Sequence, residues 1–164
     1  MKIPVFVSAP TTLNEAQNES YEAIIAFLDS LNLERRALGR SDYPTEYPLK
    51  EVYQVAKRCS GGVILGYVQQ HATRVINKPG TASEKTIKEM KYPTAWNHLE
   101  AGILFSLRLP LMVFRENGVS GGVFDVGVTD VFLHPMPTAE EVACAAFREV
   151  VLAWQARVRQ HYYA

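Results

Sequence analysis

The chain has 164 residues, of which 48% are hydrophobic, so it is long enough to form one domain with a full hydrophobic core. Its 17 basic and 17 acidic residues cancel, and no block of like charge stands out. This balance argues against a groove that binds nucleic acid by neutralising phosphates. A small nucleotide, which needs only local positive charge, stays possible.

The cysteines and the apolar segments indicate the compartment. Cys59 and Cys144 are far apart and follow no metal-ligand spacing, so we expect two buried free thiols in a reducing environment. The apolar run at 5–7 is far too short for a signal peptide, and no segment approaches transmembrane length. The expected location is therefore the cytoplasm, without a membrane partner.

The first half of the chain alternates between strand-like and helix-like segments. A buried strand at 3–7 precedes residues 12–15 (TLNE), which resemble a capping box and start a helix to about residue 32. A short strand at 33–38, a turn-rich segment at 39–48, a helix from Pro48 to about residue 59 and a strand at 63–67 follow. The side chains expected to face inward from the two helices are Tyr21, Ile24, Ile25, Leu28, Leu49, Val52, Tyr53 and Ala56.

The second half begins with a segment that shows no convincing period. Residues 69–93 carry seven charged side chains and are predicted to form a long loop, of the kind that serves as a functional lid or a mobile insert. The later elements are predicted as a helix over 94–107, a strand at 111–114, a glycine-rich stretch at 118–127, a strand near 131–133 and a helix over 139–160 that Thr138 caps.

This order of elements predicts an α/β fold. Alternating strands and helices form a three-layer sandwich, here a mostly parallel, five-stranded, flavodoxin-like sheet of order 2-1-3-4-5 with helices on both faces. Residues 1–164 are predicted to form this one domain. Ligands of such sheets bind beyond the carboxyl ends of the strands. We therefore expect the chemistry at the strand-to-helix junctions.

Glu100 is the most informative residue, because it falls within or against the expected apolar face of its helix. That face is predicted to consist of Trp96, Leu99, Ile103, Leu104 and Leu107. A charge among apolar groups is costly unless it is paired, hydrogen-bonded or functional. Glu100 is thus either a catalytic nucleophile or base, or a structural carboxylate satisfied by an arginine or a neighbouring loop. His98, two residues earlier, is expected to point away from it.

Further candidate ligand-binding residues lie at the same edge of the sheet: Ser8, Ala9, Pro10, Arg40, Asp42, Tyr43, Tyr67, Trp96, Asn97 and Asp125. Each has a plainer alternative. The turn at 8–10 either admits an anion or is an ordinary capped turn, and Trp96 is either a base-stacking platform or core. Surface loops collect residues such as Asp42 because they turn easily. The histidines are dispersed, so no metal site is predicted.

The segment from Glu100-Ala101-Gly102 to Leu107, followed by Leu109-Pro110-Leu111, resembles the core motif of the nucleoside 2-deoxyribosyltransferase-like superfamily. The resemblance extends over roughly residues 3–133 and implies that the motif glutamate attacks the anomeric carbon of a nucleoside or nucleotide and displaces the base. TIR domains are similar in fold and place an NAD-cleaving glutamate in a comparable helix. Residues 67–71 (YVQQH) depart from the family, whose transferases often carry an aspartate-rich stretch there.

The resemblance implies an enzyme that cleaves or transfers an N-glycosidic bond of a nucleotide, nucleoside or NAD. Glu100 would act at the anomeric carbon, and Ser8 with the amides around Ala9 would hold phosphate or ribose. Trp96 or Tyr43 would stack on the base, and Arg40 with Asp42 would complete the polar recognition. No cofactor is predicted, since NAD or a nucleotide would be the substrate.

Two other hypotheses stay open. The same pocket suits a nucleotide-binding sensor without chemistry, and TIR-like relatives self-associate, which predicts a homo-oligomer or an assembly module. Some relatives in the wider superfamily serve antiphage defence, so that role is implied by resemblance as well.

Overall fold

The computed structural model describes residues 1–38, 47–129, 131 and 133–164. In chain order its strands and helices are β1 (Ile3–Ser8), α1 (Glu15–Ser30), β2 (Leu33–Arg36), α2 (Pro48–Ala56), β3 (Gly62–Gly66), β4 (Gln70–Ala72), β5 (Val75–Asn77), β6 (Lys85–Ile87), β7 (Met90–Tyr92), α3 (Ala95–Ser106), β8 (Leu111–Arg115), β9 (Leu133–Pro135) and α4 (Ala145–Tyr163). Two short 3₁₀ helices cover Gly122–Phe124 and Glu141–Ala143.

Five parallel strands form the central sheet in the order β2-β1-β3-β8-β9. Counted among the strands of this sheet alone, the order is the predicted 2-1-3-4-5, so the fold prediction is confirmed. The inner strands β3 and β8 are almost wholly buried apolar runs, as expected of strands covered on both faces. The carboxyl ends of β1, β3 and β8 therefore meet at one edge.

Helices cover both faces of the sheet and form two separate cores. One core joins β1, β3 and β8 to α1 and α4, through side chains such as Tyr21, Leu28 and Trp154. The other joins the opposite face to α2 and α3, with Phe124 of the first 3₁₀ helix completing it. The second core is the one that positions the site, because α3 packs on β1 and β3.

The predicted inward faces of α2 and α3 are partly wrong. Leu49 and Tyr53 of α2 are exposed, and Val55 is buried instead. On α3, Trp96 is 40% and Leu99 47% exposed. Apolar residues alone did not mark these faces, because both helices carry large apolar side chains on their outer sides as well.

Helix α1 begins two residues later than the TLNE pattern suggests. Asn14 is its N-cap: the Gln17 amide N–H donates to Asn14 Oδ1 at 2.9 Å, and the Asn14 N–H donates to Gln17 Oε1 at 3.1 Å. This reciprocal pair is the capping box, so Thr12 does not cap the helix. The helix ends at Ser30, just before Asn32 with its positive φ of 59°.

The segment predicted as a loop at 69–93 instead forms two short antiparallel ladders, β4 with β7 and β5 with β6. We call residues 69–92 the β-arm. Each of its strands has three residues, and all of its residues are exposed or half-buried. Strands this short show no alternation in the sequence, which is why the prediction was wrong. The tip contains Gly80, where a side-chain carbon would meet no other atom within 4 Å.

The last elements differ from the prediction in their bounds. The Glu141 N–H donates to Thr138 Oγ1 at 3.2 Å just before the 3₁₀ turn Glu141–Ala143, whereas α4 begins only at Ala145 with Cys144 as its N-cap, so Thr138 does not cap it. Strand β9 starts at Leu133, at the end of the predicted strand, whose Phe132 lies outside the described residues. Cys59 is buried but Cys144 is exposed, which corrects the expectation of two buried thiols.

No helix of the described chain combines the length and the apolar character that a membrane span requires.

Candidate active site

A cavity of about 320 Å³ opens at the carboxyl edge of the sheet, where β1 and β3 end and α3 begins. It is lined by Ala9, Pro10, Thr11, Thr12, Leu38, Gln69, Thr94, Trp96 and Glu100. This is the edge at which the strand order predicts a ligand, and its volume suits a small molecule.

Helix α3 starts at this cavity because Thr94 caps it. The Trp96 N–H donates to Thr94 Oγ1 at 3.3 Å. From this start, the helical period turns Asn97, Glu100, Ala101 and Leu104 toward the sheet. The buried face thus has two polar residues in its first turns and two apolar residues after them.

Glu100 is only 9% exposed. Burial disfavours its charged form and raises its pKa from the ordinary 4.5 to about 7, against the opposing effect of a hydrogen bond from the Ser8 side chain. No ion pair joins it to another described residue. The alternative of a structural carboxylate capped by an arginine therefore finds no support within the described chain. A carboxyl that is half ionised near neutral pH beside a cavity suits a nucleophile or an acid–base group.

Ser8 and Asn97 support Glu100 from the side of the sheet. Both side chains are buried: Ser8 is 1% exposed and Asn97 is 0% exposed. Asn97 Nδ2 donates to Ser8 Oγ at 2.8 Å and to the Ser8 carbonyl oxygen at 3.4 Å. Neither residue lines the cavity, so their contact with a ligand would be through Glu100.

Gln69 joins two loops that line the cavity. Its Nε2 donates to the Thr12 carbonyl oxygen at 3.1 Å, which connects the chain after β3 to the chain after β1. The Gln69 backbone N–H donates to the Tyr92 carbonyl oxygen at 2.8 Å, so the base of the β-arm is fixed to the same place. The arm therefore meets the site only at its base.

The structure brings together some of the predicted site residues and separates others. Ala9, Pro10, Trp96 and Glu100 line the cavity, and Ser8 contacts Glu100. Tyr67 lies in the core on the other side of the sheet, with its hydroxyl 2.9 Å from Ser20 Oγ. Asp125 is exposed, outside the cavity lining, and accepts a hydrogen bond from the Gly121 N–H. Arg40, Asp42 and Tyr43 lie outside the described residues.

Sequence reasoning missed five lining residues: Thr11, Thr12, Leu38, Gln69 and Thr94. All of them follow a sheet strand or precede α3, so the strand-end rule contained the signal. Thr12 was assigned to a helix cap, Gln69 fell at the start of a segment interpreted as a loop, and Thr94 was assigned to the start of the following helix.

His98 points away from Glu100, as the helical spacing predicts. Its Nδ1 accepts a hydrogen bond from the Val123 N–H at 3.4 Å, and its ring lies edge-on to Phe124. His98 thus ties α3 to the 3₁₀ helix. Within the described ranges, no three histidine, cysteine, aspartate or glutamate side chains lie close enough together to hold a metal ion.

Two solved structures share this architecture. The CMP N-glycosidase of Clostridium botulinum aligns with a TM-score of 0.53 at 13% identity, over 92% of this chain and 98% of its own. The 2-deoxyribosyltransferase of Leishmania mexicana aligns with a TM-score of 0.51 at 12% identity, over 90% of this chain and 97% of its own. No protein-family model matches the sequence, and no curated protein matches it.

At such low identity the similarity concerns the fold alone, which this chain shares with the N-glycosidase and the deoxyribosyltransferase. The motif around Glu100 predicted this fold. The likeness to TIR domains stays a prediction.

Proposed function

We propose that this protein cleaves or transfers the N-glycosidic bond of a nucleoside or nucleotide, with Glu100 as the nucleophile. The observation that carries the proposal is a buried carboxyl, with a pKa of about 7, at the wall of a 320 Å³ cavity beyond the strand ends. The two structures of similar fold support it, because one is a CMP N-glycosidase and the other a deoxyribosyltransferase.

The proposed reaction has two steps. An ionised Glu100 oxygen forms a bond to the anomeric carbon while the carbon–nitrogen bond breaks, and the base leaves with the bonding electrons and takes up a proton. Water, which gives hydrolysis, or a second base, which gives transfer, then attacks the anomeric carbon of this glycosyl ester and loses a proton. The bond to the Glu100 oxygen breaks, and the carboxylate is regenerated. Water can complete the first route because the cavity is open to solvent at its outer side.

The test is to incubate the purified protein with nucleosides, nucleoside monophosphates and NAD, and to measure the free base by chromatography and mass spectrometry. We expect release from at least one compound, with the same activity in the control Glu22→Gln, an exposed glutamate on α1. If no compound in the panel released its base, the proposed enzymatic activity would be contradicted. If a nucleotide then raised the melting temperature, the nucleotide-binding sensor would take its place.

NAD belongs in this panel because of the TIR-like resemblance alone. A nucleotide partner, a homo-oligomer, a cytoplasmic location and a role in antiphage defence also stay predictions.

Trp96→Ala is expected to raise KM about tenfold with a smaller effect on kcat, since stacking of a base on an aromatic ring contributes about 1–3 kcal/mol. Trp96 lines the cavity but is 40% exposed, so its loss costs the fold little. The matched control is Leu99→Ala, which removes an exposed apolar side chain of α3 that does not line the cavity. Steady-state kinetics with the compound that releases its base in the panel gives KM and kcat for both variants. An unchanged KM in Trp96→Ala would remove the stacking role.

A further inference from the structure

Two buried polar side chains lie beneath Glu100 in positions that packing alone does not explain. Asn97 occupies the buried face of α3, one turn before Glu100, and Ser8 ends a strand whose preceding residues are buried and apolar. Burying an amide and a hydroxyl costs free energy unless their hydrogen bonds are satisfied. The hydrogen bonds that Ser8 and Asn97 make therefore indicate the role of these two side chains.

The Ser8 hydroxyl has one proton to donate and lone pairs that accept. The Asn97 Nδ2 group, which cannot accept, donates to Ser8 Oγ at 2.8 Å. The Ser8 proton is consequently not used toward Asn97 and is available to the Glu100 carboxyl, whose pKa the Ser8 side chain lowers by hydrogen bonding. The three side chains form one chain of hydrogen bonds that runs from the amide through the hydroxyl to the carboxylate.

The other half of the Asn97 amide supports this direction. Both Nδ2 contacts go to Ser8, one to Oγ and one to the carbonyl oxygen. Asn97 Oδ1 is buried and receives no hydrogen bond from the described residues. With the amide reversed, Oδ1 would take the Ser8 proton away from Glu100.

We propose that Asn97 is a positioning residue for Glu100 and acts through the Ser8 hydroxyl, by fixing the direction in which that hydroxyl donates. The hydrogen bond then favours the ionised carboxylate, the form that attacks a carbon. The catalytic meaning of this arrangement rests on the function proposed above, but its effect on the ionisation of Glu100 does not.

The described residues around Glu100 include few other titratable groups that could move its pKa. Among the described residues that line the cavity, Glu100 alone is titratable. Strands β1 and β3 carry no titratable side chain, and those of α2 and of α3 itself are Lys50, Glu51, Tyr53 and His98. Burial and the Ser8 hydroxyl are the influences that move the pKa of Glu100. Its ionisation therefore reports on Ser8 directly.

The experiment is an NMR titration of labelled glutamate carboxyls in the ligand-free protein, with the Glu100 signal assigned from Glu100→Gln. We compare wild type, Ser8→Ala, Asn97→Leu and the double variant. Leucine has a similar shape to asparagine but no hydrogen-bonding group, and Asn97→Ala serves if the leucine variant does not fold. Asn18→Leu, at an exposed position of α1, is the matched control and should leave the titration midpoint unchanged.

We expect the midpoint of Glu100 to rise by about one pH unit in Ser8→Ala and by about half a unit or more in Asn97→Leu. The double variant should titrate like Ser8→Ala alone, because Asn97 acts only through the hydroxyl. A merely structural asparagine would leave the midpoint in place. That result, or an equal shift with and without Ser8, would overturn the proposal.

The titration is separable from catalysis. If the protein released no base but showed these shifts, the positioning role of Asn97 would stand and the proposed enzymatic activity would be rejected. If the protein released base but did not show the shifts, the proposed enzymatic activity would stand and the positioning role of Asn97 would be rejected. In an active protein, the acidic limb of the profile of kcat/KM against pH should move by the same amounts.

Discussion

Glu100→Gln is expected to reduce base release by about a thousandfold or more, because the amide keeps the shape of the carboxyl but supplies no anionic oxygen. The folded structure should persist, since the side chain has little contact with solvent and no ion pair with another described residue. The measurement is the rate of base release at enzyme concentrations high enough to detect a residual reaction. Circular dichroism of the same samples checks the fold.

Glu100→Asp separates position from charge. It keeps the carboxylate but withdraws it by one methylene, so we expect an activity between those of wild type and Glu100→Gln. If Glu100 is the nucleophile, it forms a covalent intermediate with the sugar. Mass spectrometry of a rapidly quenched reaction should therefore show the sugar attached to wild type and not to Glu100→Gln. Base release that survives in the glutamine variant would show that another group, or water alone, attacks the carbon.

Glu100→Gln should also be more stable than wild type above neutral pH. In the folded protein the pKa of Glu100 is about 7, whereas the ordinary value of 4.5 applies after unfolding. Below pH 4.5 both states are protonated, so the two proteins differ least there. Between the two values the unfolded chain loses the proton that the folded chain keeps, so wild type loses stability as the pH rises.

The size of this effect follows from the separation of the two pKa values. A difference of about 2.5 pH units, from 4.5 to about 7, corresponds to on the order of 3 kcal/mol at full ionisation. Urea unfolding of both proteins from pH 4 to pH 8.5 measures it, and groups such as His134, whose pKa burial lowers, cancel because both proteins contain them. Parallel stability curves would mean that Glu100 ionises as freely in the folded state as in the unfolded one.

The sheet was predictable because its strands β1, β3 and β8 are largely apolar runs, and because an α-helix separates most consecutive strands of the sheet. The strand order and the edge of the cavity followed from general rules for such sheets. The burial of Glu100 was predicted, although Trp96 and Leu99 were wrongly assigned to the same face of α3. A search for apolar residues selected Trp96 and Leu99, whereas the buried positions of the first turns are Asn97 and Glu100.

Polar residues at buried positions are the part that sequence reasoning misses most easily. Nothing in the sequence shows that Asn97 is buried, because its partner Ser8 lies 89 positions away in the chain. The β-arm was missed for a related reason. Its three-residue strands have no pattern of their own, and the ladders arise only when the chain folds back on itself.

The β-arm also has a practical consequence. Its outer ladder, β5 with β6, contributes no residue to either hydrophobic core, and the arm reaches the cavity only through Gln69. Extra sequence introduced beside Gly80, such as an affinity peptide or a fluorophore attachment point, would therefore project from the tip into solvent. We therefore expect that the protein can be immobilised or labelled there without a change in the chemistry of the pocket.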